Sequence, residues 1–200
     1  MGKLITVVGA SGVGKTTLVH ALARTYPFAT AYEEHAERPF QELFKQDKRY
    51  ALANQIDYML LRAEQEKELR ASAQMSLIDG GLDLDFHGFT RLFHSRGLLT
   101  DPELVLCRRF YLHTRDLLPL PDLIVALSAS EEIISQRLAS RNRINIASAD
   151  DAALFNSFLE EWLVTLPVDQ TLRLDVSSED SGYAQSVPLI LARLHSLFNT

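Results

Sequence analysis

The chain has 200 residues, 46% of them hydrophobic and 23% charged, with a formal net charge of −6. That length predicts a single domain with a substantial core, and the acidic balance excludes a general nucleic-acid binder, which would carry a basic surface. No apolar run approaches the ~20 residues needed to cross a membrane, the N-terminus does not read as a signal peptide, and the single cysteine, Cys107, fits a reducing cytoplasm.

The predicted elements alternate along the chain. Leu4-Ile5-Thr6-Val7-Val8 is a β-branched run of strand length, and Thr16 to Thr25 reads as a helix. Ala31-Tyr32 is a short strand candidate. Lys48 to Ser72 is a long helical stretch without glycine or proline, which places Leu52, Ile56, Met59, Leu60 and Ala63 roughly on one face. Met75 to Ile78 is a second buried strand, Asp101 to Leu118 a helix, and Asp122 to Leu127 a third apolar strand introduced by Pro119 and Pro121. Ser130 to Ser140 reads as a helix, with Ser130 as cap and Glu131 and Glu132 at the positive end of the dipole. Ala149 to Leu166 is helical, Thr171 to Val176 the last strand and Gly182 to Phe198 the last helix. Strands alternating with helices predict an α/β fold whose mainly parallel sheet is covered on both faces.

GASGVGKT, Gly9 to Thr16, matches G-x-x-x-x-G-K-[ST] in full and lies between a strand and a helix, as a phosphate-binding loop must. Its glycines let backbone N–H groups curl around phosphate oxygens, and the helix N-terminus adds positive potential. Lys15 reaches the β- and γ-phosphates and Thr16 can ligate Mg²⁺. Gly9, Ala10, Ser11, Gly12, Val13, Gly14, Lys15, Thr16 and Thr17 are therefore expected to bind a nucleoside triphosphate. Downstream, LSASEEIISQRLASRNR carries Arg137, Arg141 and Arg143, of which the first two are i,i+4 neighbours on one helix face. Guanidinium groups clustered near a helix end suit the spread charge of a transferring phosphoryl group. The histidines form no zinc-ligand spacing. Cys107 reads as packing.

With AYEEHAERPFQELFKQDKRYALANQIDYMLLRAEQ, Ala31 to Gln65, the chain resembles the deoxynucleoside kinase family, in particular bacterial deoxyguanosine and deoxyadenosine kinases. The likeness runs from about Leu4 to the C-terminal LRLDVSSED. It rests on the order of P-loop, Y-E, K-R-Y-A-x-x-x-Q, strand-ending carboxylate and R-x-x-x-R-x-R. It implies a five-stranded parallel sheet in the order 2-3-1-4-5, a single kinase domain over 1–200 with an arginine-bearing lid around 137–148, ATP as donor and Mg²⁺ as metal. Glu33 would be the general base, with Glu34 as the adjacent candidate. Gln55 would read the nucleobase, with Asp57, Tyr58, Met59 and Arg62 on the same helix. Arg137, Arg141 and Arg143 would close over the phosphates. Asp79 and Asp85 match the family's two carboxylates after the second buried strand. Asp79 would hold Mg²⁺ opposite Thr16, although Asp-Gly is also a turn-forming pair by itself. Asp85 reads equally as a helix cap.

Three departures fall on the acceptor side. Gly80 and Gly81 stand where the family has arginine and serine, Lys45 where it has a tyrosine, and Asn145 or Ile146 where it has a glutamate. Arg108, Arg109, Arg38 and Arg91 are candidates to replace the arginine in space. Trp162 resembles a residue packed behind the lid. The expected reaction is transfer of the ATP γ-phosphoryl group to the 5′-hydroxyl of a purine-like (deoxy)nucleoside. The alternatives are a nucleoside monophosphate acceptor, which a less negative pocket suits, and an ATP-binding regulatory module without catalysis. A homodimer through long helices is expected, with no nucleic-acid or membrane partner.

Overall fold

A computed structural model of the chain describes residues 2–31, 38–139 and 149–198, with backbone alone at 149 and 150. Five parallel strands form one sheet: β1 (Leu4–Val8), β2 (Ala29–Ala31), β3 (Ser76–Asp79), β4 (Leu123–Ser128) and β5 (Thr171–Asp175), in the order β2-β3-β1-β4-β5. This is the order implied by the resemblance. The helices are α1 (Lys15–Thr25), α2 (Pro39–Gln46), α3 (Ala51–Ala71), α4 (Leu82–Leu84), α5 (Arg91–Ser95), α6 (Asp101–Leu117), α7 (Glu131–Ala139), α8 (Ala149–Leu163) and α9 (Ser186–Phe198), with a π-helical stretch Asp85–Thr90 joining α4 to α5.

The central strands are buried along their length because helices cover both faces of the sheet, which explains their unbroken apolar runs. One core layer, with Ile5, Val7, Leu18, Leu22, Val125 and Ile190, lies under α1 and α9. Another, with Val8, Ile124, Phe155 and Trp162, lies under α8. A third, with Phe44, Met59, Phe86, Phe93, Cys107 and Tyr111, joins α2, α3, the π-helical stretch, α5 and α6. No described helix is long and apolar enough to cross a membrane.

The differences from expectation have local causes. β2 covers Ala29–Ala31 rather than Ala31-Tyr32, because its register pairs Ala29 with Ser76 and Ala31 with Ile78; Tyr32 lies outside the described residues. α2 was not expected; its signal is Pro39 in the first turn, where a missing N–H is harmless. The run 82–95 is helical in spite of Gly88, so Asp85 sits inside a helical stretch and does not cap one. Gly88 is there for proximity: a Cβ would come within 2.4 Å of the Phe155 ring. Ser130 does cap α7, accepting from Ile133 N at 3.4 Å. α9 begins at Ser186 rather than Gly182, because Tyr183 turns the chain at φ 52° and Glu179 accepts from the backbone N–H of Ser186 at 2.6 Å.

Behind the carboxyl end of β3 runs a buried polar network. Arg115 of α6 donates Nη1 and Nη2 to the two oxygens of Glu66, both at 2.8 Å. It also donates Nε and Nη2 to Asp83, at 3.1 and 3.0 Å. Arg70 donates to Glu66 at 3.0 Å, and Tyr111 donates its hydroxyl to Asp83 at 2.8 Å. Burial raises the Asp83 pKa, and Arg115 and the Tyr111 hydrogen bond only partly oppose it.

His87 extends this network. Its Nε2 lies 3.2 Å from the Tyr111 hydroxyl, and its ring stacks on Trp162 at 4.9 Å. Tyr111 gives its one proton to Asp83, so His87 Nε2 is the donor in the contact between them. Burial first, then the charges of Arg91 and Arg115, lower this imidazole from 6.5 to about 3. The unfolded chain therefore takes a proton near pH 6.5 that the folded chain refuses until about pH 3, and stability falls as the pH drops through that window. Going from about pH 7 to about pH 5 is expected to remove about 2 kcal/mol of unfolding free energy, and His87→Phe to flatten that limb. Urea titrations at both pH values check this; an unchanged slope in the variant would assign the loss to other groups.

Candidate active site

The P-loop leaves β1 at Val8 and enters α1 at Lys15. Gly14 has φ +110°, and a Cβ there would fall 2.0 Å from the Tyr183 hydroxyl, so only glycine fits. That hydroxyl donates to Gly14 O at 3.1 Å. Lys15 Nζ reaches back over the loop to Gly9 O and Ala10 O, at 3.0 and 3.1 Å.

Register brings the strand-ending carboxylate to this loop. Val7 of β1 lies opposite Asp79 of β3. Thr16, the next residue after the P-loop lysine, donates its hydroxyl to Asp79 Oδ2 at 2.5 Å. Asp79 is 1% exposed, and its other oxygen, Oδ1, is buried with no partner. A buried carboxylate oxygen without a donor is rare, because desolvating it costs free energy that a ligand, an ion or an ordered water restores. Hydroxyl, carboxylate and orphan oxygen form a hard oxygen donor set that fits Mg²⁺, whose remaining ligands are ordinarily phosphates and water. Among the described residues no group of three His, Cys, Asp or Glu side chains could hold a metal by itself.

The turn after Asp79 is built from two glycines at φ +86° and +98°. Gly80 N donates to Val7 O at 2.9 Å, and the Thr6 hydroxyl donates to Gly80 O at 2.5 Å. A Cβ on Gly80 would lie 3.6 Å from Arg62 Nη2. The guanidinium beside the expected arginine position is thus that of Arg62. Arg38 is paired with Asp57, Arg91 with Glu161, and Arg108 and Arg109 are exposed.

Gln55, Arg62 and Asp85 come together. Gln55 Nε2 donates to the Asp85 carbonyl at 3.1 Å, and Arg62 Nε donates to Asp85 Oδ2 at 3.2 Å, all three side chains being buried. Met59 is core. Lys45 is exposed on α2. Glu33, Glu34, Arg141, Arg143, Asn145 and Ile146 lie outside the described residues, as does 140–148 of the expected lid. Arg137 is described: it donates Nη1 to Val13 O at 2.5 Å and Nη2 to Val176 O and Glu179 O at 3.0 and 3.3 Å, joining α7 to the P-loop and to the segment after β5. That segment was missed in the sequence. With Gly12, Gly14, Thr17 and Arg137, residues Glu179 and Tyr183 line a cavity of about 250 Å³ beside the P-loop. The available signal was position alone, since segments after the carboxyl ends of strands line the crevice of such sheets.

The chain is similar in sequence and in fold to known proteins. A sequence model described as "Deoxynucleoside kinase" matches residues 5–180. Over 143 residues the chain is 29% identical to a deoxyadenosine kinase of Dictyostelium discoideum, covering 71% of this chain and 58% of that protein. Over 143 residues it is 27% identical to a deoxyadenosine/deoxycytidine kinase of Bacillus subtilis, covering 70% and 66%. The chain thus spans less than two thirds of either relative's length. Its fold is similar to that of deoxyadenosine kinase from M. mycoides with bound dCTP, with a TM-score of 0.78, 20% identity, and coverage of 96% of this chain and 99% of that one. The same protein with bound dATP matches with the same TM-score, identity and coverage.

Proposed function

The chain belongs to the deoxynucleoside kinase family, and we propose that it transfers the γ-phosphoryl group of ATP to the 5′-hydroxyl of a (deoxy)nucleoside, with a purine-like base preferred. The observation that carries this reading is the Thr16–Asp79 hydrogen bond with its orphan Oδ1. It sets a phosphate-loop hydroxyl against a strand-ending carboxylate, an arrangement suited to phosphoryl transfer.

The P-loop amides and Lys15 would hold the phosphates, and the cavity between Arg137 and Tyr183 would take the donor's base. Thr16 and Asp79 would hold Mg²⁺, which neutralises charge developing on the transferring group. Glu33 would take the proton from the acceptor hydroxyl. Gln55 and Asp85 would position the acceptor, and Arg137, Arg141 and Arg143 would stabilise the phosphoryl charge. Arg137 must first release the three carbonyls it holds. We place the protein in the cytoplasm as a homodimer. Leu60 of α3 and Val105, Leu106 and Leu112 of α6 are exposed on neighbouring helices, a surface that a second copy would cover.

A nucleoside monophosphate is the second reading, favoured by Arg62 beside Gly80 in a site that lacks the usual arginine at position 80. Purified protein with Mg-ATP is to be tested against nucleosides, deoxynucleosides and their monophosphates, following ADP release and the phosphorylated product. A 5′-monophosphate product from a (deoxy)nucleoside is expected. Turnover of monophosphates alone establishes the second reading, and no turnover with any of them leaves the ATP-binding regulatory module.

A further inference from the structure

Among the described side chains, two buried polar atoms have no partner: Asp79 Oδ1 and Asn54 Oδ1. The first is accounted for by the P-loop beside it. The second lies on α3, directly before Gln55, in a side chain that is 2% exposed. One turn further on, Asp57 holds Arg38 through two hydrogen bonds of 2.6 Å. Asn54 therefore stands between that ion pair and the buried group of Gln55, Arg62 and Asp85. A leucine would fill a buried helix position without an unsatisfied oxygen, so the amide there weakens the free protein unless something donates to it.

The chemistry of the partner follows from what is available. Gln55 spends one N–H of its amide on the Asp85 carbonyl, and its carbonyl oxygen remains available to a ligand. Asn54 and Gln55 then offer carbonyl oxygens from successive residues, and carbonyl oxygens only accept. An exocyclic amino group, with two N–H donors, suits such a pair. We propose that Asn54 is a specificity-determining residue whose Oδ1 accepts a hydrogen bond from the amino group of the acceptor's base. The proposal rests on the reading of the chain as a (deoxy)nucleoside kinase.

The test pairs nucleosides that differ by that amino group: 2′-deoxyadenosine with purine 2′-deoxyriboside, and 2′-deoxyguanosine with 2′-deoxyinosine. Wild-type protein is expected to prefer the amino-bearing member of at least one pair. Asn54→Leu is expected to lower kcat/KM for that member about tenfold and to leave the amino-free member unchanged or improved. Its melting temperature without ligand is expected at or above that of wild type. Asn54→Ala serves as the second variant should leucine not be accommodated. Equal turnover within both pairs by wild type, or equal selectivity in wild type and variant, overturns the assignment of Asn54 while the kinase reading stands. Wild-type failure to phosphorylate any of the four sinks the purine-kinase reading, and this proposal with it.

Discussion

Asp79→Asn is expected to lower kcat by about 10²- to 10³-fold while the protein stays folded. The two effects separate because of how the carboxylate is held. Its Oδ2 accepts from Thr16, a bond that an asparagine carbonyl oxygen can also accept. Its Oδ1 has no protein partner, so replacing it removes no contact within the chain. What disappears is the negative charge opposite the P-loop, and with it the anionic ligand proposed for a divalent cation. Steady-state kinetics across a Mg²⁺ titration, with thermal melting as the control, measures this. The variant should need more Mg²⁺ for half-maximal rate and should melt at or above the wild-type temperature. Turnover within a few-fold of wild type would remove Asp79 from the metal site and return it to a turn former.

The largest effect on stability is expected at Arg115. Its guanidinium joins Glu66 of α3 and Asp83 of α4 from α6, and all three side chains are almost fully buried. Arg115→Ala leaves Asp83 without its cation and Glu66 with Arg70 alone, a loss of about 3–5 kcal/mol for a broken buried pair. The pH dependence identifies the cause. Burial already raises the Asp83 pKa in the folded chain, and removing Arg115 raises it further. A carboxyl whose folded pKa exceeds its unfolded value keeps its proton longer in the folded chain. Stability is then retained in acid and lost as the pH rises through the folded value. The variant's deficit in urea unfolding should therefore be smaller near pH 5 than near pH 8. A deficit below about 1 kcal/mol, or one independent of pH, would mean that the network contributes little to holding the helices together.

The parts of the fold that could be read in advance share one property: their signal is contiguous. β1 and β4 are unbroken apolar runs, and Gly9 to Thr16 states the P-loop and its helix in one stretch. The run 82–95 was illegible because Gly88 looks like a breaker, whereas it makes room for the Phe155 ring. Asp79 was legible as the end of a strand and, through the resemblance, as standing opposite Thr16; that the Thr16 hydroxyl donates to it directly follows only from the pairing of β1 with β3. Gln55 and Asp85 were named separately; that one donates to the carbonyl of the other is a matter of tertiary contact. Arg62 could be named as a neighbour of Gln55 on one helix, and its position over Gly80 could not be, because the two are close in space and not in sequence. The Glu66–Arg115–Asp83 network joins three helices through charges that look, in the chain, like ordinary surface residues.

The turn at Gly80 and Gly81 bears on what position 80 can hold. Both residues occupy backbone conformations that side chains rarely adopt, and the turn is fastened to β1 by the Val7 carbonyl and the Thr6 hydroxyl. Placing an arginine at position 80 by one substitution would strain that backbone and bring its Cβ into contact with Leu84 and Arg62. Position 80 therefore belongs to the backbone before it belongs to the acceptor site: glycine holds the turn there, and any side chain would have to be carried on a conformation that side chains rarely adopt.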